Sequence, residues 1–398
     1  MKREIKLPSH NLISITVHRR AGKTYFLFKK IKELGRENCL FMNFERPNLI
    51  GATAKDFRDM LIACQELYGK EPKYLMLDEI QAVKNWEVGV RELHDKGKYN
   101  ILITGSSSKL LPKEIATQLR GRVVNVLLMP FYFREFLKAK NIEIDKFSAY
   151  TKKGIILKLL NKFLEKGGFP EPTLKPEIYD ELMLSIKDGI FYRDIIGIRK
   201  TKTFEFLTRV LVSSFSSYYT YSKLQNILYS YGIKISKNTI IEFVRILEEC
   251  FLLFSVEKFH FKVKEILKSP KKVYVVDQGL IKLFVPRASK DIGKLMENCV
   301  FCELKRISTN EIFYLEVNQS EVDFVIKEGL EIKQLIQATY ASNKDEIEKR
   351  EIKALMKASE LLRCKSLQII TWDYEDELKV NNKEVRCRPL WKWLLRLA

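Results

Sequence analysis

The sequence predicts an α/β fold: a doubly wound parallel sheet opens the chain, helices fill its middle, and a second α/β region with its own mixed sheet closes it. Three observations carry this. Short apolar segments alternate with amphipathic helical stretches as far as residue 128. From Phe131 the apolar period turns helical, and two strand-like runs follow only after residue 249. Beyond residue 291 the order is helix, three strands, helix, strand.

Residues 11–17 (NLISITV) are short, apolar and rich in β-branched side chains, as in a parallel strand buried on both faces. A helix is expected over residues 24–34, where Phe26, Leu27, Ile31 and Leu34 recur at helical spacing with charged residues between them. Further strands are expected at residues 39–44 (CLFMNF), 74–77 (YLML), 100–104 (NILIT) and 123–128 (VVNVLL). FREFLKA and residues 154–166 read as helices, and Gly167-Gly168-Phe169-Pro170-Glu171-Pro172 reads as a linker or tight loop. Residues 204–215, 221–229 and 237–249 make three helices, with Gly232 in the turn before the third and Ser236 as its N-cap. The strand-like FLLFSVEKF and KKVYVV complete the outline of a winged helix-turn-helix, whose third helix is expected to bury Ile240, Ile241, Val244 and Leu247. The tail reads as a helix at 292–307, strands at 311–317, 321–326 and 330–340, a helix at 345–362 and a strand at 367–372. Expected domain limits are 1–137, 138–202 (a helical lid or connector), 203–287 and 288–398.

At 398 residues the chain is long enough for two or three cores. A hydrophobic share of 46% with 30% charged residues is globular and leaves little room for long disorder. The formal charge of +20 favours a polyanionic partner through counterion release, with nucleic acid foremost. A Lys- and Glu-rich surface of the kind that stabilises thermophile proteins is the competing source of that charge. The seven cysteines lack framework spacing, which implies buried thiols in a reducing compartment. Cys299-Val-Phe-Cys302 has no second pair to complete a zinc site. No run approaches the ~18 apolar residues of a membrane helix. A cytoplasmic protein with no membrane partner is expected.

Phosphate binding needs backbone N–H groups at a helix N-terminus, a glycine where phosphate approaches, a lysine for the β and γ phosphates and a hydroxyl for Mg²⁺. The stretch from Val17 to Thr24 supplies the last three, with Arg20, Ala21 and Gly22 as loop backbone, Lys23 as the cation and Thr24 as the hydroxyl. Val17 replaces the first glycine of GxxxxGKS/T, so the loop must leave its strand at a different angle. Tyr74-Leu75-Met76-Leu77-Asp78-Glu79 delivers two carboxylates at the end of an apolar strand, one to hold Mg²⁺ through water and one to polarise the attacking water. Ile101 to Ser108 brings Thr104 and Ser106 to the same edge, where one can sense the γ-phosphate. A surface Gly-Lys-Thr, two solvated acids and a plain turn are the competing readings; three strand ends in agreement favour a nucleotide site.

HRRAGKT, LMLDEIQ, LITGSSSKLL, LRGRVVNVLLMPFYFREFL, GGFPEP, KKVYVVDQGL, ENCVFCELKR and EVDFVI resemble the AAA-type ATPases common in archaea and bacteria whose C-terminal half is a domain of unknown function. The resemblance spans nearly the whole chain. It implies ATP and Mg²⁺ as cofactors, Lys23 and Thr24 on phosphate and Mg²⁺, Asp78 on Mg²⁺, Glu79 as base, a sensor near Thr104 to Ser107, and Arg120 or Arg122 as an arginine finger. Val17 and His18 stand where the family usually has Gly-Pro, which bears on catalytic rate more than on fold. An arginine finger often comes from a neighbouring subunit, so a homo-oligomer is a candidate partner state; equally, both arginines fit solvated residues at a strand start.

Asp323, Glu331 and Lys333 have the order of a PD-(D/E)XK nuclease site, with Glu297 as an added ligand and Gln337 farther along the strand. Whether Asp323 joins them depends on the turn: a two-residue Glu328-Gly329 hairpin puts it on the opposite face, and a three-residue loop aligns all three. The polar face of a half-exposed sheet is the competing reading. In the winged helix, Lys234, Lys237, Asn238 and Thr239 at the start of the third helix, and Arg245 farther along, are the candidate DNA contacts. Such a module also serves in protein docking. The sequence therefore supports an ATP-dependent, DNA-associated ATPase, a nucleotide-controlled scaffold with a protein partner, or a Mg²⁺-dependent nuclease regulated by its ATPase half.

Overall fold

The computed structural model describes residues 3–17, 20–106, 112–145, 147–189, 201–285, 291–307, 310–317, 320–347 and 349–397. It divides into two compact units, one built mainly from Met1–Pro130 and the other mainly from Phe131–Leu184, Gly197–Glu248 and Leu252–Ala398. No helix among the described residues is long and apolar enough to cross a membrane.

The first unit holds β1 (Leu12–Val17), β2 (Cys39–Asn43), β3 (Tyr74–Asp78), β4 (Asn100–Ser106) and β5 (Val124–Leu128), in the order β2-β3-β4-β1-β5. Every pairing is parallel. Because alternate side chains point to opposite faces, the apolar strands feed two cores. Leu12, Leu75, Leu77, Ile101 and Ile103 pack with Phe57 and Leu61 of helix Asp56–Tyr68 and with Trp86, Val90 and Leu93 of helix Trp86–Asp95. Ile13, Ile15, Met76, Leu102 and Leu128 pack on the other face with Phe26 and Leu27 of helix Lys23–Leu34. A sheet covered on both faces needs continuous apolar strands, which is what made these segments readable. β1 neighbours β4 and β5 while β2 lies at the far edge, so the chain leaving β1 crosses the sheet and opens a crevice at the carboxyl ends of β1, β3 and β4.

In the second unit, helices Thr201–Ser213, Tyr221–Ser230 and Lys237–Glu249 accompany an antiparallel three-stranded sheet of β6 (Ser217–Tyr219), β7 (Leu253–Val256) and β8 (Lys271–Val275), ordered β6-β8-β7. Helix Lys237–Glu249 buries Ile240, Phe243, Val244 and Leu247. Ile241, expected inside, is 39% exposed. Positions 240, 243, 244 and 247 share one helical stripe, and 241 stands about 100° away from 240.

Of the two readings of the Gly167-Gly168 stretch, the tight loop holds: it joins helix Lys153–Lys166 to helix Pro170–Leu174. Gly167 adopts φ +71°, and a Cβ there would meet Asp277 Oδ1 at 1.9 Å. Gly168 N donates to Asp277 Oδ2 (2.6 Å) and its carbonyl accepts from Phe131 N (2.7 Å). Asp277 also caps helix Gln278–Phe284 through Gly279 N (2.8 Å).

The C-terminal sheet comprises β9 (Glu311–Val317), β10 (Ser320–Glu328), β11 (Glu331–Ala338), β12 (Leu367–Thr371), β13 (Asp376–Val380) and β14 (Lys383–Pro389), ordered β13-β14-β12-β11-β10-β9. β11, β12 and β14 run parallel and the other pairings are antiparallel. Helix Lys349–Leu362 covers one face, setting Ala354, Leu355 and Ala358 against Leu335, Leu367, Ile369 and Val385. Six of the seven free cysteines are buried, Cys299 and Cys302 among them on helix Ile292–Ile307.

Candidate functional site

β1 ends at Val17 and helix Lys23–Leu34 begins six residues later. Arg20 (φ 62°) and Gly22 (φ 89°) adopt left-handed backbone, which turns the loop back onto the helix; glycine does this without Cβ strain. No side chain caps the first helical turn, so its N–H groups remain available to an anion. Arg3 fastens the loop by donating to the carbonyls of Ala21 (2.8 Å) and Met129 (2.6 Å).

Beside that helix end, β3 delivers Asp78, whose side chain is completely buried. One of its carboxylate oxygens accepts from Thr24 Oγ1 (3.1 Å) and Asn43 Nδ2 (3.0 Å); the other accepts from Thr104 Oγ1 and lies 3.6 Å from Lys23 Nζ. A buried carboxylate survives only when paired and hydrogen-bonded, and Asp78 is both. Glu79 follows in a left-handed conformation (φ 56°, ψ 47°) and bonds Lys23 through Oε1. Its Oε2 accepts from Gln81 Nε2 (2.6 Å). The loop, the lysine, the hydroxyl and both carboxylates therefore meet at the carboxyl edge of the sheet. Lys23 Nζ lies between the two acids, bonded to Glu79 and 3.6 Å from Asp78 Oδ1.

Ser106 ends β4 opposite Val17, and its side chain lies outside the described residues, as does His18. The two arginines do not reach this edge within one chain. They precede β5, whose start pairs with the start of β1, so about 13 Å of strand separates them from the phosphate edge. Arg120 is exposed, and Arg122 Nε bonds Asp95 Oδ1 (3.1 Å). Sequence reasoning missed Asn43 and Gln81. Asn43 pairs in register with Asp78 from the end of β2, and a polar residue closing an apolar strand was the available signal.

The expected carboxylate site at the C-terminus also needs correction. The turn after Glu328 has two residues, and a bulge between Ile326 and Lys327 shifts the register as well. Glu331 pairs with Glu328 at the hairpin end, is bonded by Lys333 Nζ (2.6 Å), and both side chains are open to solvent. Asp323 instead stands at the level of Gln337 and Ala338: its N donates to Gln337 Oε1 (3.3 Å), and its Oδ2 accepts from Ala338 N (2.9 Å). Six residues of strand, about 20 Å, keep Glu331 away from it. Of the expected ligands, only Glu297 joins Asp323. Glu321 comes with it, and the ammonium of Lys272 fills the space between them, 2.6 Å from Glu297 Oε1, 3.0 Å from Asp323 Oδ1 and bonded to Glu321. Burial pushes the Glu297 carboxyl up, against the pull of Lys272. Burial alone would lower Lys272, yet Glu297, Asp323 and Glu321 hold it well above the ordinary lysine range. The cluster thus carries its own cation, and among the described residues no group of His, Cys, Asp or Glu is arranged to hold a metal ion.

On helix Lys237–Glu249 and the turn before it, Lys234, Lys237, Asn238 and Arg245 are exposed, and Thr239 is half-buried. Ser236 caps the helix by accepting from Thr239 N (3.1 Å), and Lys237 Nζ reaches Ser222 Oγ (3.2 Å).

The AAA domain family matches residues 9–137, and a domain of unknown function (DUF8612) matches residues 157–291. Among solved structures, the Walker-type ATPase PABY2304 of Pyrococcus abyssi aligns with a TM-score of 0.45 and 13% identity, covering 69% of this chain and 91% of that one. The parallel sheet, the loop and the matching domain define a nucleotide-binding P-loop protein of the AAA type. The chain belongs to the family of the uncharacterized protein MJ1544 of Methanocaldococcus jannaschii, with 39% identity over 98% of this chain and 90% of that protein. An uncharacterized protein of Haemophilus influenzae is 30% identical over 79% of each chain.

Proposed function

We propose that this protein hydrolyses ATP with Mg²⁺ and that its nucleotide state governs its hold on DNA. The observation that carries the first half is the meeting of Lys23, Thr24, Asp78, Glu79 and Thr104 at one sheet edge beside an uncapped helix N-terminus. Lys23 takes the β and γ phosphates, which draws it off the carboxylates and frees Glu79 to accept a proton from water. Thr24 and Asp78 offer the all-oxygen donors that suit Mg²⁺, which when bound neutralises charge on the phosphates. Thr104 or Ser106 senses the γ-phosphate. Arg120 or Arg122 acts only in trans, from a second copy of the chain.

The second half is supported by the +20 charge and by Lys237, Asn238 and Arg245 on the exposed side of a helix whose opposite stripe is buried, with Lys234 exposed in the turn before it. We read residues 1–137 as the ATPase domain, 138–202 as a connector, 203–287 as a winged helix and 288–398 as a nuclease-like α/β domain. Cleavage is no part of the proposal, because Lys272 occupies the carboxylate cluster. A nucleotide-controlled switch with a protein partner is the second reading, favoured by Val17 at the first-glycine position, which suits binding better than turnover.

The test is ATP binding and hydrolysis by the full chain, with and without DNA, beside Lys23→Ala and Glu79→Gln. Lys23→Ala is expected to abolish binding, and Glu79→Gln to bind ATP and not turn it over. Tight ATP binding by Lys23→Ala would overturn the site. Binding without turnover, and without DNA affinity, would favour the switch.

A further inference from the structure

We propose that Gln81 completes the hydrolytic half of the site, holding Glu79 with its amide nitrogen and the attacking water with its amide oxygen; the inference rests on the ATPase reading above. Gln81 sits in the one-turn 3-10 segment Ile80–Ala82 that directly follows Glu79. Its Nε2 donates to Glu79 Oε2 at 2.6 Å, while Lys23 takes the other oxygen of that carboxylate. This bond fixes the amide orientation, since the reversed group would set a carbonyl against a carboxylate.

The other end of the amide is the telling one. Gln81 Oε1 is buried and has no hydrogen-bond partner among the described residues. A buried carbonyl without a donor is costly, and such groups in native interiors call for a functional account. The same turn holds Glu79 in a left-handed conformation that other residues than glycine rarely adopt, closed by Ala82 N bonding Glu79 O (3.0 Å). An unsatisfied acceptor and a residue in left-handed backbone therefore lie two residues apart at the phosphate edge.

A water with one O–H on Glu79 and the other on Gln81 Oε1 has its lone pair fixed toward the γ-phosphate, the task a glutamine performs in other phosphoryl-transfer sites. The water oxygen forms the new P–O bond as the bond from the γ-phosphorus to the β-bridging oxygen breaks. The bonding pair leaves with ADP. One water proton passes to Glu79, and the other stays on the product phosphate, still bonded to Gln81.

The test compares ATP binding, steady-state hydrolysis and thermal unfolding of the wild-type chain, Gln81→Met and Gln81→Glu. Methionine keeps the length and loses both hydrogen bonds. Glutamate keeps the shape and turns the donor into a charge facing Glu79. Gln81→Met, which gives up the Glu79 bond but also removes the unsatisfied carbonyl, is expected to bind ATP within about threefold of wild type and to melt near the wild-type temperature, while kcat falls about tenfold or more with KM little changed; Gln81→Glu, whose charge repels Glu79, is expected to lose kcat as well. Wild-type kcat in Gln81→Met overturns the inference, as does a loss of kcat matched by lost ATP binding or a lower melting temperature. A wild-type chain that does not hydrolyse ATP overturns the ATPase reading and this inference with it, whereas a hydrolysing wild type equalled by Gln81→Met overturns this inference alone.

Discussion

Asp78 gathers donors from three other strand or helix ends, Thr24, Asn43 and Thr104, and sits under the charge of Lys23. Each donor offsets part of the desolvation of a carboxylate that has no contact with water, so removing one leaves the others overdrawn. Thr104→Val keeps the shape of the side chain and deletes one hydrogen bond to a charged group. It is expected to lower stability by about 1–3 kcal/mol, read as a lower melting temperature, and to slow hydrolysis; an unchanged melting temperature would show that Thr104 is not needed to satisfy Asp78. Lys23, Thr24, Asp78, Glu79 and Thr104 were legible because each closes an apolar strand or opens a helix. Asn43 and Gln81 were not. Asn43 does close an apolar strand, but Phe44 follows it and continues the apolar run, and Gln81 is an ordinary turn residue; only the parallel register, which sets Asn43 beside Asp78, and the tight turn after Glu79 bring them in.

At the scale of elements, the Asp277 cap shows how structure decides between two readings of a conspicuous motif. Gly167-Gly168 and Pro170 read as a linker or tight loop; it is the loop, and the two backbone N–H groups bonded by Asp277 tie that stretch to helix Gln278–Phe284. Asp277→Ala strands both donors and is expected to cost about 2–4 kcal/mol, and Gly167→Ala is expected to destabilise as well, because its Cβ meets Asp277 Oδ1. Burial pushes the Asp277 carboxyl up from its ordinary 3.8 to about 6, against the pull of the Gly168 and Gly279 N–H groups. A carboxyl raised in the folded state favours folding most below its unfolded value, and that contribution is lost as pH rises through the folded one. Chemical denaturation at intervals from pH 4 to 7 should show this group withdrawing roughly 3 kcal/mol between pH 4 and 6, a decline absent from Asp277→Ala. The hairpin of β10 and β11 teaches the converse lesson: residue order alone matched a metal site, and a two-residue turn and a bulge decided which acids meet. β13 and β14 were overlooked because their exposed faces are charged. Asn381-Asn382, both with positive φ, was the turn signal joining them.

For the molecule as a whole, the N-terminal sheet was readable from its buried parallel strands, while the purpose of the positive charge was not, because composition records how much charge there is and not where it is used. Two origins make different predictions. If the excess of 70 basic over 50 acidic residues serves DNA binding, neutralised phosphates release counterions, and log affinity should fall linearly with log salt at about −0.9 per phosphate contacted. Lys234, Lys237 and Arg245 as phosphate contacts would then supply a slope of about −3 between them. Replacing Lys234 or Lys237 with Ala should weaken binding to unrelated duplexes alike and flatten the slope by about one. If the charge belongs instead to ion-pair networks that stabilise the surface, those variants should leave any DNA affinity and its slope untouched and shift the melting temperature instead. Fluorescence anisotropy on a labelled duplex from 50 to 200 mM salt, on the order used for such slopes, separates the two. A slope that ignores both lysines would place the DNA contacts elsewhere on the chain, and no measurable binding at the lowest salt would leave the nucleotide switch with a protein partner as the reading that fits.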